Sequence, residues 1–95
     1  MIRISIIGLG LIGASLGMAL RSADVKESPL GEIEVVGYDR DSRAVKEARG
    51  RLAIDTEART LAEAVRDAQI VVLATPVQSV REVLAQLASL LPAGA

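Results

Sequence analysis

Hydrophobic residues along the chain alternate between two spacings, and this alternation predicts strands and helices in turn. The mostly apolar runs at 2–7, 33–39 and 69–74 are close to continuous, which is typical of strands covered on both faces in a parallel sheet. Elsewhere, apolar residues three and four positions apart predict helices over about 11–21 and through 80–91.

Capping residues indicate where two further helices begin. Asp41 is suited to accept hydrogen bonds from the free N–H groups at the start of a helix over 42–49, which Gly50 ends. The segment 60–63 (Thr-Leu-Ala-Glu) matches a capping box, so a helix is expected from there to about residue 68.

Three further assignments complete the chain. The segment 79–82 (Ser-Val-Arg-Glu) matches a second capping box at the start of the last helix, which Pro92 ends. Residues 22–32, which contain proline and glycine, are predicted to form a loop. A short third strand is predicted over Leu52–Thr56.

Strands that alternate with helices predict parallel strands joined by right-handed crossovers. We therefore expect an α/β fold, with a Rossmann-type doubly wound parallel sheet truncated to about four strands in the order 3-2-1-4. It should form one domain over residues 1–95. The first strand then lies beside the fourth, and a ligand is expected in the crevice at their carboxyl ends.

A glycine-rich turn with the spacing Gly-x-Gly-x-x-Gly joins the first strand to the first helix. The first glycine allows a sharp exit from the strand, the second lets backbone approach a pyrophosphate, and the third lets the helix pack on the strand. N–H groups at the helix start would face the anion. A further glycine, Gly17, predicts close approach of this helix to the sheet. In this context the turn predicts dinucleotide binding, with a glycine turn that binds nothing as the alternative; its residues are Gly8, Leu9, Gly10, Leu11, Ile12 and Gly13.

An acidic residue, Asp39, ends the second strand at the same edge of the sheet. A carboxylate there can accept hydrogen bonds from both hydroxyls of the adenosine ribose and would repel a 2′-phosphate, so NAD is favoured over NADP. The alternative is that Asp39 only caps the next helix, although Asp41 is better placed for that. Arg40 is expected to stack on adenine; contact with a 2′-phosphate and a plain surface position are the alternatives.

The fourth strand closes on Ala74, Thr75 and Pro76. These residues should line the far side of the cofactor, near its ribose or nicotinamide. Pro76 is equally suited to begin a helix. No catalytic residue is predicted, because the remaining carboxylates fall at helix starts or on solvated faces.

Composition limits the chemistry that this chain can perform. The absence of cysteine and histidine excludes disulfides and thiolate chemistry and removes the commonest general base and transition-metal ligand, so no metal site is expected. A net charge of −1 with scattered arginines gives no reason to expect nucleic acid or an anionic membrane as a partner. The apolar N-terminus is too short to span a membrane and lacks the features of a secretory signal, so a cytoplasmic location is expected.

Three stretches together resemble the N-terminal domain of prephenate and arogenate dehydrogenases. They are 6–16 (Ile-Ile-Gly-Leu-Gly-Leu-Ile-Gly-Ala-Ser-Leu), 35–40 (Val-Val-Gly-Tyr-Asp-Arg) and 71–77 (Val-Val-Leu-Ala-Thr-Pro-Val). The resemblance implies NAD(P)-dependent oxidative decarboxylation of prephenate or arogenate in tyrosine biosynthesis. It also implies cofactor contacts at Gly8–Gly13, Asp39 and Thr75-Pro76.

Members of this family continue into a further strand and a helical dimerisation domain, and the resemblance implies that the catalytic histidine and substrate-binding arginines lie there. We therefore expect a cofactor-binding part that is inactive by itself and meets a small-molecule substrate only in a full-length context. Without the next strand, the apolar edge at 70–73 should favour homo-oligomers through strand pairing. The alternatives are the cofactor domain of another β-hydroxyacid-type dehydrogenase or reductase, and a nucleotide-binding module without catalysis.

Overall fold

The computed structural model describes residues 1–22, 25, 29 and 31–91. The strands in these ranges are β1 (Ile2–Ile7), β2 (Ile33–Tyr38), β3 (Thr56–Glu57) and β4 (Ile70–Leu73). The helices bounded within them are α1 (Leu11–Leu20), α2 (Ser42–Gly50), α3 (Leu61–Val65) and α4 (Val77–Leu87).

The strands form one parallel sheet in the order β3-β2-β1-β4, which confirms the predicted 3-2-1-4 topology. Ile4 of β1 pairs with Val35 on one side and with Ile70 on the other. Because β1 is central, its carboxyl end lies between the ends of β2 and β4. That placement brings residues from three distant parts of the sequence to one edge of the sheet.

β1 and β2 are covered on both faces, as their continuous apolar runs predict, whereas β4 has no buried residue and the prediction for 69–74 is wrong in this respect. Ile6 belongs to a core cluster with Val35 and Ala48, on the face that α1 and α2 cover. Ile7 belongs to a second cluster with Val36 and Leu87, on the face that α3 and α4 cover. Successive residues of β1 therefore supply two separate cores. None of the helices in the described ranges is long and apolar enough to cross a membrane.

The third strand is displaced from its predicted position at Leu52–Thr56 and is only Thr56–Glu57. Leu52 adopts a positive φ of 59° where the chain turns out of α2. Asp55 is already held beside β2, since its N–H donates to the Val35 carbonyl at 2.8 Å and its side-chain Oδ2 accepts the Val35 N–H at 2.8 Å. Because a side chain takes one of these two backbone bonds, the regular ladder begins only at Thr56.

The end of α3 and the start of α4 differ from the sequence prediction. Helix α3 ends at Val65 instead of residue 68, because Asp67 reverses the chain at a positive φ of 59°. Helix α4 begins at Val77, directly after Pro76, so the capping box predicted at Ser79 is wrong. The Ser79 N–H donates to the Pro76 carbonyl at 2.8 Å, which places Ser79 inside the first turn.

The caps at Asp41 and Thr60 are confirmed. Asp41 accepts the Arg43 N–H at 3.0 Å, and Thr60 accepts the Glu63 N–H at 3.1 Å. Gly50 is the last residue of α2 rather than its stop, and α4 ends at Leu87, before the predicted apolar stripe reaches Leu91. Most of the predicted loop over 22–32 lies outside the described residues, as does Pro92.

Gly17 allows α1 to approach its neighbours closely, although its contact is with the loop after α2 rather than with a strand. A Cβ on Gly17 would overlap the carbonyl oxygen of Ala53, a backbone atom. By contrast, a Cβ on Gly50 would meet no atom within 4 Å. The two glycines, both in helices, therefore form a matched pair for testing the packing.

Gly17→Ala should lower the free energy of unfolding by about 1–3 kcal/mol, because the backbone of Ala53 must move to admit the methyl group. Gly50→Ala should leave stability unchanged or raise it by up to about 1 kcal/mol through helix propensity. Chemical denaturation of the three proteins measures both effects. Equal stability of the two variants would contradict this account of the packing.

Candidate functional site

The glycine turn lies directly against the end of β4. Gly8 adopts a φ of +105°, and a Cβ on it would lie 2.7 Å from the Ala74 carbonyl carbon and 2.8 Å from the Thr75 nitrogen. The Gly8 N–H donates to the Tyr38 carbonyl, and the Ala74 N–H donates to the Ile7 carbonyl, each at 2.8 Å. The predicted turn and the end of the fourth strand are thus brought together by backbone contact.

Helix α1 begins on this turn with no side-chain cap. Gly10 is the N-cap residue, and its carbonyl accepts the Ala14 N–H at 2.9 Å. The first N–H groups of a helix have no partner inside the helix, so those of Leu11, Ile12 and Gly13 are left for a ligand. The side chains of Leu11 and Ile12 are 76% and 77% exposed, so the start of the helix is open to solvent.

Gly13 and Gly10 differ in their surroundings: Gly13 is in close contact with backbone and Gly10 is not. A Cβ on Gly13 would overlap the Gly8 carbonyl oxygen, so this glycine lets the helix sit on the end of β1. A Cβ on Gly10 would meet no atom of the described residues within 4 Å. This position lies beside the positive end of the α1 dipole, where an anion would be stabilised.

Asp39 is held at the same edge by two backbone hydrogen bonds. Its Oδ2 accepts the Leu9 N–H at 2.8 Å, and its Oδ1 accepts the Asp41 N–H at 2.8 Å. Leu9 has its side chain in the core and is only 3% exposed. The hydrogen bond to Asp39 means that the Leu9 N–H, unlike those of Leu11 and Ile12, already has a partner within the protein. No pattern in the sequence indicates this link between the turn and the carboxylate.

A groove of about 570 Å³ continues from Asp39 along α2. Arg40 lines it, and so do Arg49 and Glu57, whose Nη1 and Oε2 pair at 3.0 Å. Sequence reasoning missed every lining residue after Arg40. Those on α2 could have been expected, because α2 begins soon after Asp39, whereas those at the end of β3 and beyond it are brought there by the pairing of β3 with β2. The remaining lining residues are Ser42, Val45, Lys46, Ala58 and Arg59.

The end of β4 supplies a polar group with no partner among the described residues. The Thr75 hydroxyl oxygen is buried and makes no hydrogen bond to any of them. It belongs to a residue whose backbone nitrogen adjoins Gly8, so a donor and acceptor lies in this part of the site. Pro76 is exposed and is the N-cap residue of α4, with a φ of −54°, which agrees with its predicted role in beginning a helix. Across the described ranges, no three carboxylates come together as a metal site would require.

Comparison with known proteins agrees with this geometry. The family model described as "NADP oxidoreductase coenzyme F420-dependent" matches residues 3–94. The chain belongs to this family. It is also 34% identical over 88 residues to the prephenate dehydrogenase of Lactococcus lactis subsp. cremoris (strain MG1363), covering 92% of this chain and 22% of that protein.

Two solved structures share the fold over essentially the whole chain. The arogenate dehydrogenase of Synechocystis matches with a TM-score of 0.82 at 30% identity, over 99% of this chain and 31% of the other. The prephenate dehydrogenase from A. aeolicus, solved in complex with hydroxyphenyl propionate and NAD+, matches with a TM-score of 0.82 at 25% identity, over 100% and 32%. The resemblance to prephenate and arogenate dehydrogenases is confirmed, and the chain spans less than a third of each of these relatives.

Proposed function

We propose that this domain binds NAD as the cofactor-binding part of a prephenate- or arogenate-type dehydrogenase. The observation that carries the proposal is the start of α1 at Gly10. No side chain caps it, and a Cβ added to Gly10 would meet no atom of the described residues within 4 Å. The membership of the family and the fold shared with a structure solved with NAD+ support it.

Each part of the cofactor has a matching part of the site. The pyrophosphate would accept hydrogen bonds from the N–H groups of Leu11–Gly13, and the α1 dipole would stabilise its charge. The adenosine ribose would face Asp39, and the adenine would enter the groove beside Arg40. Ala74–Pro76 would line the nicotinamide side, where the unpartnered Thr75 hydroxyl offers a hydrogen bond.

The nicotinamide ring of bound NAD supplies a hydride acceptor for oxidation of the substrate. The residues of this chain hold and orient the cofactor, and the chain contains neither histidine nor cysteine to move a proton. We therefore assign substrate contact and proton transfer to other parts of a full-length dehydrogenase. The 95 residues alone should bind the cofactor without turning over prephenate or arogenate.

Gly10→Ala should weaken NADH binding by about tenfold or more, because its methyl group projects into space that only a ligand would fill. Gly50→Ala adds a methyl group in equally open space outside the site and is the matched control. Isothermal titration calorimetry compares both variants with the unmodified chain. Absence of NADH binding to the unmodified chain at millimolar concentration would reject the proposed function, and equal affinities would reject the role of Gly10.

The carboxylate of Asp39 should make the domain prefer NAD over NADP, because a 2′-phosphate beside it would be repelled. The dissociation constant of NADPH divided by that of NADH, both measured by the same titration, tests this preference. Asp39→Ala should reduce the ratio by about tenfold or more, since the cations of the groove then act without the opposing charge. An unchanged ratio would show that Asp39 does not read the ribose.

The open side of β4 should lead the 95-residue chain to self-associate through strand pairing. Among the described strands β4 pairs only with β1, and Ile70 is 48% exposed at its start. Ile70→Lys should shift the sedimentation profile toward monomer. Met18→Lys, at a site on α1 that is 46% exposed, is the matched control and should not. This prediction would be contradicted if the unmodified chain stayed monomeric at high concentration.

A further inference from the structure

The carboxylate of Asp39 bonds to two segments that the sequence separates widely. Its Oδ2 accepts the N–H of Leu9, 30 residues earlier in the glycine turn, and its Oδ1 accepts the N–H of Asp41 at the start of α2. Both distances are 2.8 Å, which is typical of strong charge-assisted hydrogen bonds. One side chain therefore joins the turn, the end of β2 and the entry of α2.

Leu9 is a residue through which the glycine turn is held to the rest of the protein. Gly8 before it has a positive φ of 105°, and Gly10 after it has no side chain to pack. The Leu9 side chain fixes one side of the turn, because it is buried beneath Gly37. The Leu9 N–H fixes the other side through Asp39, and without that acceptor a partly buried donor would lose its partner.

We propose that Asp39 is a positioning residue for the phosphate-binding turn, in addition to any contact it makes with the ribose. By holding Leu9, it sets the direction in which the chain enters α1 and so the aim of the N–H groups of Leu11–Gly13. The two roles are compatible, because each carboxylate oxygen accepts up to two hydrogen bonds and the protein uses one on each. The part of this inference that concerns ligand affinity rests on the proposed function.

The two roles and simple electrostatics predict different effects for a ligand that lacks the ribose hydroxyls. If Asp39 only read the ribose, replacing it would not change the affinity for such a ligand. If only its charge mattered, removing that charge would strengthen binding of the anionic pyrophosphate. If Asp39 positions the turn, the same replacement weakens binding. The sign of the change therefore separates the three cases.

Asp39→Ala is the informative variant, because a methyl side chain has no acceptor and both the Leu9 N–H and the Asp41 N–H lose their partner. Asp41→Asn is the matched control: it removes the same charge two residues away, and Asp41 bonds to Arg43 rather than to the turn. Asp39→Glu keeps the charge but displaces both oxygens, and it serves as the second variant.

The first measurement uses no ligand. Amide hydrogen exchange of Leu9, followed by NMR, should accelerate by about tenfold or more in Asp39→Ala and Asp39→Glu, but not in Asp41→Asn. The amides of Ile4 and Ile6 in the central strand should not accelerate to the same extent, so that the faster exchange is local to the turn. Unchanged exchange at Leu9 in both Asp39 variants would overturn the proposal.

The second measurement is calorimetric titration with NADH and with an NADH analogue whose adenosine carries a 2′,3′-dideoxyribose. The analogue should bind Asp39→Ala about tenfold more weakly than it binds the unmodified chain, and Asp41→Asn with little change. Equal or tighter binding of the analogue to Asp39→Ala would overturn the proposal. If the unmodified chain binds neither ligand, the proposed function fails, and the exchange measurement still decides whether Asp39 positions the turn.

Discussion

The close contact between the start of α1 and the end of β1 determines the layout of the candidate site. Gly13 lies on the Gly8 carbonyl, and Gly8 lies on the backbone where β4 ends. A side chain on either glycine would separate these segments by the width of a methyl group or more. Because both contacts are with backbone, no rotation of a neighbouring side chain could relieve them. The helix therefore begins at the sheet edge itself, with its free N–H groups at the crevice.

A turn built from three glycines gains close approach but lacks side chains that would hold its shape. The structure compensates with contacts made by Leu9, whose side chain enters the core and whose N–H reaches Asp39. The residue expected to choose between cofactors is then also part of the support for the turn. Replacing Asp39 to admit NADP would change two properties together unless another acceptor is supplied for Leu9.

The groove beyond Asp39 places opposite charges close to one another. Arg40, Lys46 and Arg59 line it, together with Arg49, which is paired with Glu57. An adenosine in this groove would meet the Asp39 carboxylate at its ribose and cationic side chains further along. The proposed preference for NAD would thus depend on the balance between one carboxylate held by two hydrogen bonds and several exposed cations. This balance is a property of this chain rather than of the glycine turn that many dehydrogenases share.

Local pattern determined the alternation of strands and helices, the position of the glycine turn and the caps at Asp41 and Thr60, because periodicity and capping depend on residues a few positions apart. The strand order followed from the general topology of parallel strands joined by right-handed crossovers. Tertiary structure alone decided the position of β3, the partner of Gly17 and the engagement of the Leu9 N–H. Each of these depends on residues far apart in sequence: Asp55 with Val35, Ala53 with Gly17, and Asp39 with Leu9. Such contacts form only when the parallel crossovers bring the strand ends together. The sequence therefore named the glycine turn and Asp39 as candidates, and the fold joined Leu9 to Asp39.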